Sequence, residues 1–548
     1  MGAVAGDAAS PASGRDPDAV NLEPVVRWVR RMAGRPQPAA AEQLTLFGGA
    51  GAPVALAAGS EAAAEANEEV ADDAPIARSL PARLAVAAAA LGYTALFASW
   101  TMRHHDGMGT QAFDLGLYDQ GLWLLSRFRE PFVTLMGRNL FGDHTSFMLL
   151  PLVPLYWLWP TAKVMLLAQA AAVGLSAVPV FLLARDKLRS EPLAAALAGA
   201  FLLQPVLGWM NLEQFHPDLL EIPLILFAAW FMVRRWWLAF VLCIVALLLV
   251  KEDTFLITTG FGVYVALRHD RRVGLLTCGI SIAYAALAFW VILPALNGVG
   301  TLNSWRIPFG GPFGLLKTTV VHPGEVASYL LVEDRLWYLW QLFAPVALMS
   351  VLGLGALLIA LGPLASNLFS TFLYQYDIHY HYSSMVAPMV MVATIFGIAR
   401  YGRTMFDRRN LVVLVALAAV VTAYLWGPTP LGRAEFVPAD PDAAQARSVR
   451  DAVRMIPDDA VLSSYYGWVP QVDHRERIYM FPNPWKASYW GTFKQEGTRL
   501  AFADDVDWIL LPVLLDPEPK AVYEAIRSEF ETVHERDGVM LLRRVPPG

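Results

Sequence analysis

The chain predicts a mainly α, polytopic α-helical membrane protein with a small C-terminal α/β domain, and three observations lead there. Of its 548 residues, 56% are hydrophobic and only 16% charged, with a mean hydropathy of +0.42; soluble domains carry about 25% charged residues. About eleven apolar runs are long enough, or nearly so, to cross a bilayer. After Trp426 those runs stop, and short alternating segments replace them.

Residues 1–80 are rich in Ala, Gly, Pro and Glu and lack the charged-then-apolar order of a signal peptide. They read as a disordered cytoplasmic tail. The tail carries 6 Arg against 11 Asp and Glu, a large part of the formal net charge of -6, which argues against a nucleic-acid partner. Two patches in it stand out. Val25–Met32 reads either as a short basic amphipathic helix on the inner leaflet or as a solvated turn. Gln43-Leu44-Thr45-Leu46-Phe47 is similar to the pentapeptide by which bacterial proteins dock on the replication sliding clamp, a pattern short enough to arise by chance. The two cysteines, Cys243 and Cys278, both lie in apolar runs, which excludes a disulfide framework and a thiolate metal site.

The membrane domain spans 81–426. Its apolar runs fall near 81–100, 162–184, 193–210, 219–235, 236–250, 254–268, 273–293, 337–360, 362–377, 384–400 and 409–426. With the tail inside, alternation puts the basic clusters Arg185/Lys187/Arg189, Arg234/Arg235, Arg268/Arg271/Arg272 and Arg400/Arg403/Arg408/Arg409 on the cytoplasmic side, as the positive-inside bias requires. The expectation is a multi-pass plasma-membrane protein with a cytoplasmic N-terminus and an extracytoplasmic C-terminal domain. Thr145–Pro160 is apolar too, but its three prolines and its Trp157 and Trp159 suit an interfacial helix within a first outer loop over 101–161.

The same alternation brings five polar connections to the outer face. They are Asp114 with Asp119, Asp143-His144, Gln214–Asp218, Lys251-Glu252-Asp253, and Asp377–His381. Loop residues without a shared role would divide between the faces, so one outward site assembled from several loops is the simplest reading. The run Trp236–Leu267 would be about 48 Å long as one helix, too long for the hydrocarbon layer, so it breaks, and Lys251-Glu252-Asp253 marks the place. A plain hairpin turn with a snorkelling lysine remains the alternative there.

Asp114 and Asp119, five residues apart, would project about 140° from each other on a helix and so are poorly placed to share a proton. Asp114 has the more apolar neighbours and the more easily raised pKa, which suits a general base; Asp119 is the second candidate. His144, His216, His379 and His381 together with Asp143, Asp218 and Asp377 supply enough ligands for a divalent ion, of Mg or Mn type if phosphates bind, although no tight ligand spacing is present. Asp143, His144 and Asp253 are the metal candidates. The phosphate- or substrate-binding candidates are Arg103, Arg138, His216, Lys251, Glu252, Arg306 and His381, arginine being favoured by its bidentate fork.

Residues 427–548 read as a helix over 443–456, strands over 460–464, 477–481 and 506–513, a helix over 518–530 and a last strand over 538–543. Nothing in them matches a phosphate loop or a nucleophile elbow.

Seven ordered motifs carry a family resemblance. Phe-Asp-Leu-Gly-x-Tyr-Asp-Gln-x-x-Trp at 113–123 is followed by Phe141-Gly142-Asp143-His144, Pro154-Leu155-Tyr156, Phe215-His216-Pro217, Lys251-Glu252-Asp253, His381-Tyr382, and Ile456–Val461 with Ile478–Pro482. Over residues 81 to 545 the chain resembles the bacterial and archaeal membrane proteins grouped as domain of unknown function 2079, and its layout is similar to the GT-C membrane glycosyltransferases. The resemblance implies a large first outer loop whose acidic residue activates an acceptor, and a sugar donor carried on a polyprenyl phosphate. By position Asp114 would take that role. GT-C enzymes often place two acids side by side there, whereas this chain spaces them five apart. The resulting expectation is glycosyl (hexosyl or pentosyl) transfer at the outer face, onto a glycan, lipid or protein acceptor. A transporter or lipid flippase, or a non-catalytic membrane assembly protein, remain the alternatives.

Overall fold

The computed structural model describes residues 76–301, 303–430, 432–489 and 495–546. Val25–Met32 and Gln43–Phe47 lie outside the described residues. From Pro75 onward the chain is one compact unit.

Among the described residues, six helices are long and apolar enough to cross a membrane: Leu80–Asp106, Lys163–Leu188, Arg271–Asn297, Met349–Phe369, His381–Tyr401 and Met405–Trp426. A seventh span results if Glu191–Leu202 and Pro205–Leu212 are joined across their 45° bend. Pro205 accounts for that bend, because it has no N–H to donate and drives Gln204 into an extended conformation. The difference from the eleven apolar runs has a physical cause. Helices such as Glu221–Val233, Trp237–Leu248 and Phe255–Arg268 have only 13, 12 and 14 residues, short of the roughly 20 that a bilayer core requires.

The first helix is well specified. Ser79 Oγ accepts the Ala82 N–H, Pro81 sits in the first turn, and Arg103, His104 and His105 meet the negative end of the helix dipole. Leu84 and Leu91 stay exposed along it, which suits a surface facing lipid. His381–Tyr401 is the opposite case: 83% of its apolar window is buried, which places it at the centre of the bundle and anchors His381 at its first turn. The run from Trp236 to Leu267 breaks at Lys251-Glu252-Asp253, where Thr254 Oγ1 closes the turn by donating to the carbonyls of Leu247 and Lys251. Phe147–Leu158 is a pair of short helices with Leu150, Leu155, Trp157 and Leu158 exposed.

The C-terminal region forms a five-stranded sheet in the order 478–480, 462–464, 508–512, 539–544, 530–536. The first three strands are parallel and the last two antiparallel to their neighbours. The helix expected over 518–530 ends at Ile526, and Phe530–Arg536 is instead a strand. Asp537-Gly538 decides this, since both residues have positive φ and make the tight turn that pairs 530–536 with 539–544.

The alternation of this sheet joins it to the first loop. Leu462, Ile478, Trp508, Leu510, Val539 and Leu541 share a core with Leu115, Leu122, Val133 and Met136 of the loop. The intervening residues Val461, Tyr479, Ile509, Leu511 and Leu542 face the other way, toward Ile526 and Phe530. Thr134 seals the open sheet edge: its hydroxyl accepts the Ile478 N–H at 3.0 Å and donates to the Ile478 carbonyl at 2.7 Å.

Candidate functional site

A cavity of about 570 Å³ opens where the first loop, the connections after Leu212 and Val250, the 303–306 turn and the 372–382 segment meet. Asp114, Asp143, His144, His216, Lys251, Arg306 and His381 line it, so seven of the residues singled out by sequence share one concavity.

Asp114 is held unusually. Its backbone sits at φ 64°, ψ -85° inside the irregular turn Ala112–Gly116, a conformation that L residues rarely adopt. Its Oδ1 lies 3.2 Å from His216 Nε2, an ion-pair distance, although the imidazole is not aligned for a hydrogen bond. On the other side of His216, Nδ1 stands 3.8 Å from Glu213 Oε2. That same Glu213 oxygen accepts the His381 backbone N–H at 2.7 Å and lies 3.2 Å from His381 Nδ1, and the two imidazole rings stack at 3.7 Å. Burial pushes the Glu213 carboxyl up to about 8. Burial pulls His216 down, but the carboxylates of Asp114 and Glu213 outweigh it and lift the imidazole to about 9. Each group acts on the other, since a charged His216 lowers Glu213 and a charged Glu213 raises His216, and the Asp114 carboxylate adds to the second effect, so the site favours an imidazolium facing Asp114.

Two cations face the same space. Lys251 Nζ is 3.1 Å from Asp218 Oδ1, and both side chains are buried. Arg306 lies over the rings of Phe372 and Tyr382, at 4.3 and 5.5 Å, and donates to the Tyr382 hydroxyl at 3.3 Å. Among the described residues no carboxylate pairs with it, and its buried Nε has no hydrogen-bond partner. Its charge is thus the one most available to an incoming anion.

The remaining candidates take other positions. Glu252 stands behind the cavity wall, 2.7 Å from His144 Nδ1 and accepting the Thr145 N–H; burial raises its carboxyl, but His144 outweighs this and holds it at about 2. Arg138 is 3.4 Å from Asp143 and is not among the lining residues. Arg103 is drawn away to an exposed pair with Asp440 on the chain that follows the last span. Asp119 is 1% exposed and turned from the cavity toward the C-terminal domain. Asp143, His144 and Asp253 do not converge on one point, since Asp253 lines a separate small pocket with Asp218 and Asn367. Among the described residues, the groups compact enough to hold one cation are instead Glu213–His216–His381 and Asp119–Asp473–His474.

Sequence reasoning passed over Glu213 and Tyr466. Glu213 carries a local signal, lying three residues before His216. Tyr466 carries none: it arrives from the C-terminal domain, reaches the cavity and bonds the Gln111 side chain.

The fold is similar to that of ArnT from Cupriavidus metallidurans. With the crystal structure bound to undecaprenyl phosphate the TM-score is 0.50 at 13% identity, covering 86% of this chain and 99% of that one. With the apo crystal structure it is 0.53 at 13% identity, covering 84% and 97%. At that identity the likeness concerns the fold alone. No curated protein matches the chain. The family model described as predicted membrane protein (DUF2079) matches residues 104–541, and the chain belongs to that family of membrane proteins.

Proposed function

We propose that the chain is a GT-C-like glycosyltransferase that moves a sugar from a polyprenyl-phosphate carrier to an acceptor hydroxyl at the outer face of the plasma membrane. One observation carries the reading: one cavity is lined by Asp114, carried on a strained backbone turn, and by the cations Lys251 and Arg306, of which Arg306 has no carboxylate partner among the described residues. Asp114 takes the proton of the acceptor hydroxyl as its oxygen bonds to the anomeric carbon. The bond from that carbon to the phosphate oxygen breaks, and the configuration inverts. The departing phosphate needs charge stabilisation more than a proton, and Arg306 with Lys251 supplies it. His216, charged and 3.2 Å away, keeps the Asp114 carboxylate oriented in its turn. The likeness of the fold to ArnT bound to undecaprenyl phosphate supports a lipid-phosphate donor. A flippase reading would require matching broken helices in two halves; among the described residues one bent pair, 191–202 with 205–212, is found.

The test separates binding from chemistry. Purified protein in detergent, titrated with undecaprenyl phosphate and read by native mass spectrometry, is expected to bind the lipid, with D114N retaining binding and R306Q losing it. A deletion host complemented with D114N is expected to keep the glycolipid and glycan profile of the deletion. A wild-type profile at equal protein level would remove Asp114 from the base role, and unchanged lipid binding by R306Q would remove Arg306 from the phosphate site.

A further inference from the structure

A second cluster lies on the other side of the first loop, outside the cavity lining. Asp119 reaches it from the helix Leu117–Ser126, and Asp473 and His474 from the connection that follows the turn Tyr466–Gln471 of the C-terminal domain. Each residue offers one ligand atom, and the three atoms all lie within 4.8 Å of one another. His474 Nε2 is 3.0 Å from Asp119 Oδ1, which also accepts the Tyr156 hydroxyl at 2.6 Å. Asp119 and Asp473 are each 1% exposed, and Asp473 Oδ2 is buried without any hydrogen-bond partner. Two carboxyl groups set together in a buried interface call for a positive charge between them, which either a proton held from one to the other or a metal ion supplies.

We propose that Asp119, Asp473 and His474 bind one divalent first-row metal ion, Zn2+ or Mn2+, which fastens the C-terminal domain to the first loop. The donor set disfavours Mg2+ and Ca2+, which take all-oxygen shells, and a ring nitrogen beside carboxylates suits Zn2+ best, with Mn2+ served by the two carboxylates. The spacing fits as well. Two ligand atoms each about 2.1 Å from a tetrahedral ion stand about 3.4 Å apart, between the 3.0 Å of the His474–Asp119 pair and the 4.8 Å limit of the group. Tyr156 then orients Asp119 from outside the coordination sphere. His474 is 28% exposed and gives the ion a way in and room for a water ligand. Gly116 permits the approach: a Cβ there would stand 3.3 Å from Val469 Cγ1 and 3.5 Å from Asp473 Oδ2.

The test uses the full-length protein in detergent, stripped with EDTA and titrated with ZnCl2 or MnCl2, with bound metal counted by elemental mass spectrometry. Every measurement is made in an E213Q background, so that uptake by the Glu213–His216–His381 group does not obscure the result. Uptake of one ion is expected, with a higher Tm and slower hydrogen exchange over residues 117–126 and 466–480. D473N and H474Q are each expected to weaken uptake by about 10- to 100-fold and to abolish the Tm rise. H474Q carries the test if D473N does not fold, since His474 is partly exposed. Uptake by H474Q equal to that of the background, or a stripped protein whose Tm and exchange ignore added metal, would overturn the proposal and leave a proton shared between the two aspartates.

Discussion

Asp114 and Asp119 belong to one octapeptide, yet they work in different surroundings. Asp114 is 28% exposed, faces an open polar cavity from a backbone conformation that few L residues accept, and has a single imidazole neighbour within ion-pair distance. Asp119 is buried, with two donors on one oxygen and the C-terminal domain pressed against it. The irregular turn at Asp114 and the helix that carries Asp119 aim the two carboxylates to different sides of the loop, one toward the cavity and one toward the C-terminal domain. A carboxylate that is partly solvated and lightly bonded can exchange a proton with a substrate; one that is saturated and enclosed contributes to holding the structure.

The largest expected effect separates the two faces directly. D114N is expected to lower transfer by about 10²- to 10⁴-fold with Tm near the wild-type value. D119N is expected to leave transfer within a few-fold and to lower stability by about 1–3 kcal/mol, because the Tyr156 hydroxyl and His474 lose their charged acceptor. Loss of transfer in D119N at unchanged Tm would erase the distinction. Next in size, R306Q should weaken undecaprenyl phosphate binding by about 10- to 100-fold, the worth of a hydrogen bond to a charged group, and leave Tm nearly untouched.

A pH titration sharpens the same contrast. His216 at about 9 is raised above its free value of 6.5, so its contribution to stability is complete below pH 6.5 and fades as pH climbs through 9. Glu213 at about 8 is raised from 4.5, and its contribution is likewise lost as pH rises through 8. Tm should therefore fall between pH 4.5 and 9, through Glu213 from 4.5 to 8 and through His216 from 6.5 to 9, and fall less steeply in E213Q and H216Q; an equal slope in all three would show that the cavity group does not govern it. The smallest effect belongs to Y466F, which loses one hydrogen bond to Gln111 and is expected to raise the apparent KM for acceptor a few-fold, about 0.5–1.5 kcal/mol, without changing kcat.

Periodicity and charge alternation are local or nearly local signals, and they suffice to draw Asp114, His216, Lys251, Arg306 and His381 toward one face. These side chains line one cavity; what each does there belongs to the experiments above. Signals that depend on chain return were invisible. Asp119 meets His474 across 355 residues, and Tyr466 enters the cavity across a similar gap from Gln111. Arg103 stood at the right depth, but its partner Asp440 lies beyond the last span. Apolar content reports burial as readily as membrane crossing: eleven apolar runs are legible, six described helices are long and apolar enough to span, and the shorter Glu221–Val233 is largely buried within the protein. The strand Phe530–Arg536 was hidden by a helical reading that ignored Asp537-Gly538.

The turn at Asp114 has a consequence for substitution at that position. Holding an L residue at φ 64°, ψ -85° costs about 1–3 kcal/mol, and glycine would be free of that cost. D114G gains that backbone relief and loses the carboxylate facing the buried His216, so it should melt near the wild type while yielding no product. The turn thus sets backbone ease against function: the residue that would relax it is the one that removes the carboxylate from the cavity.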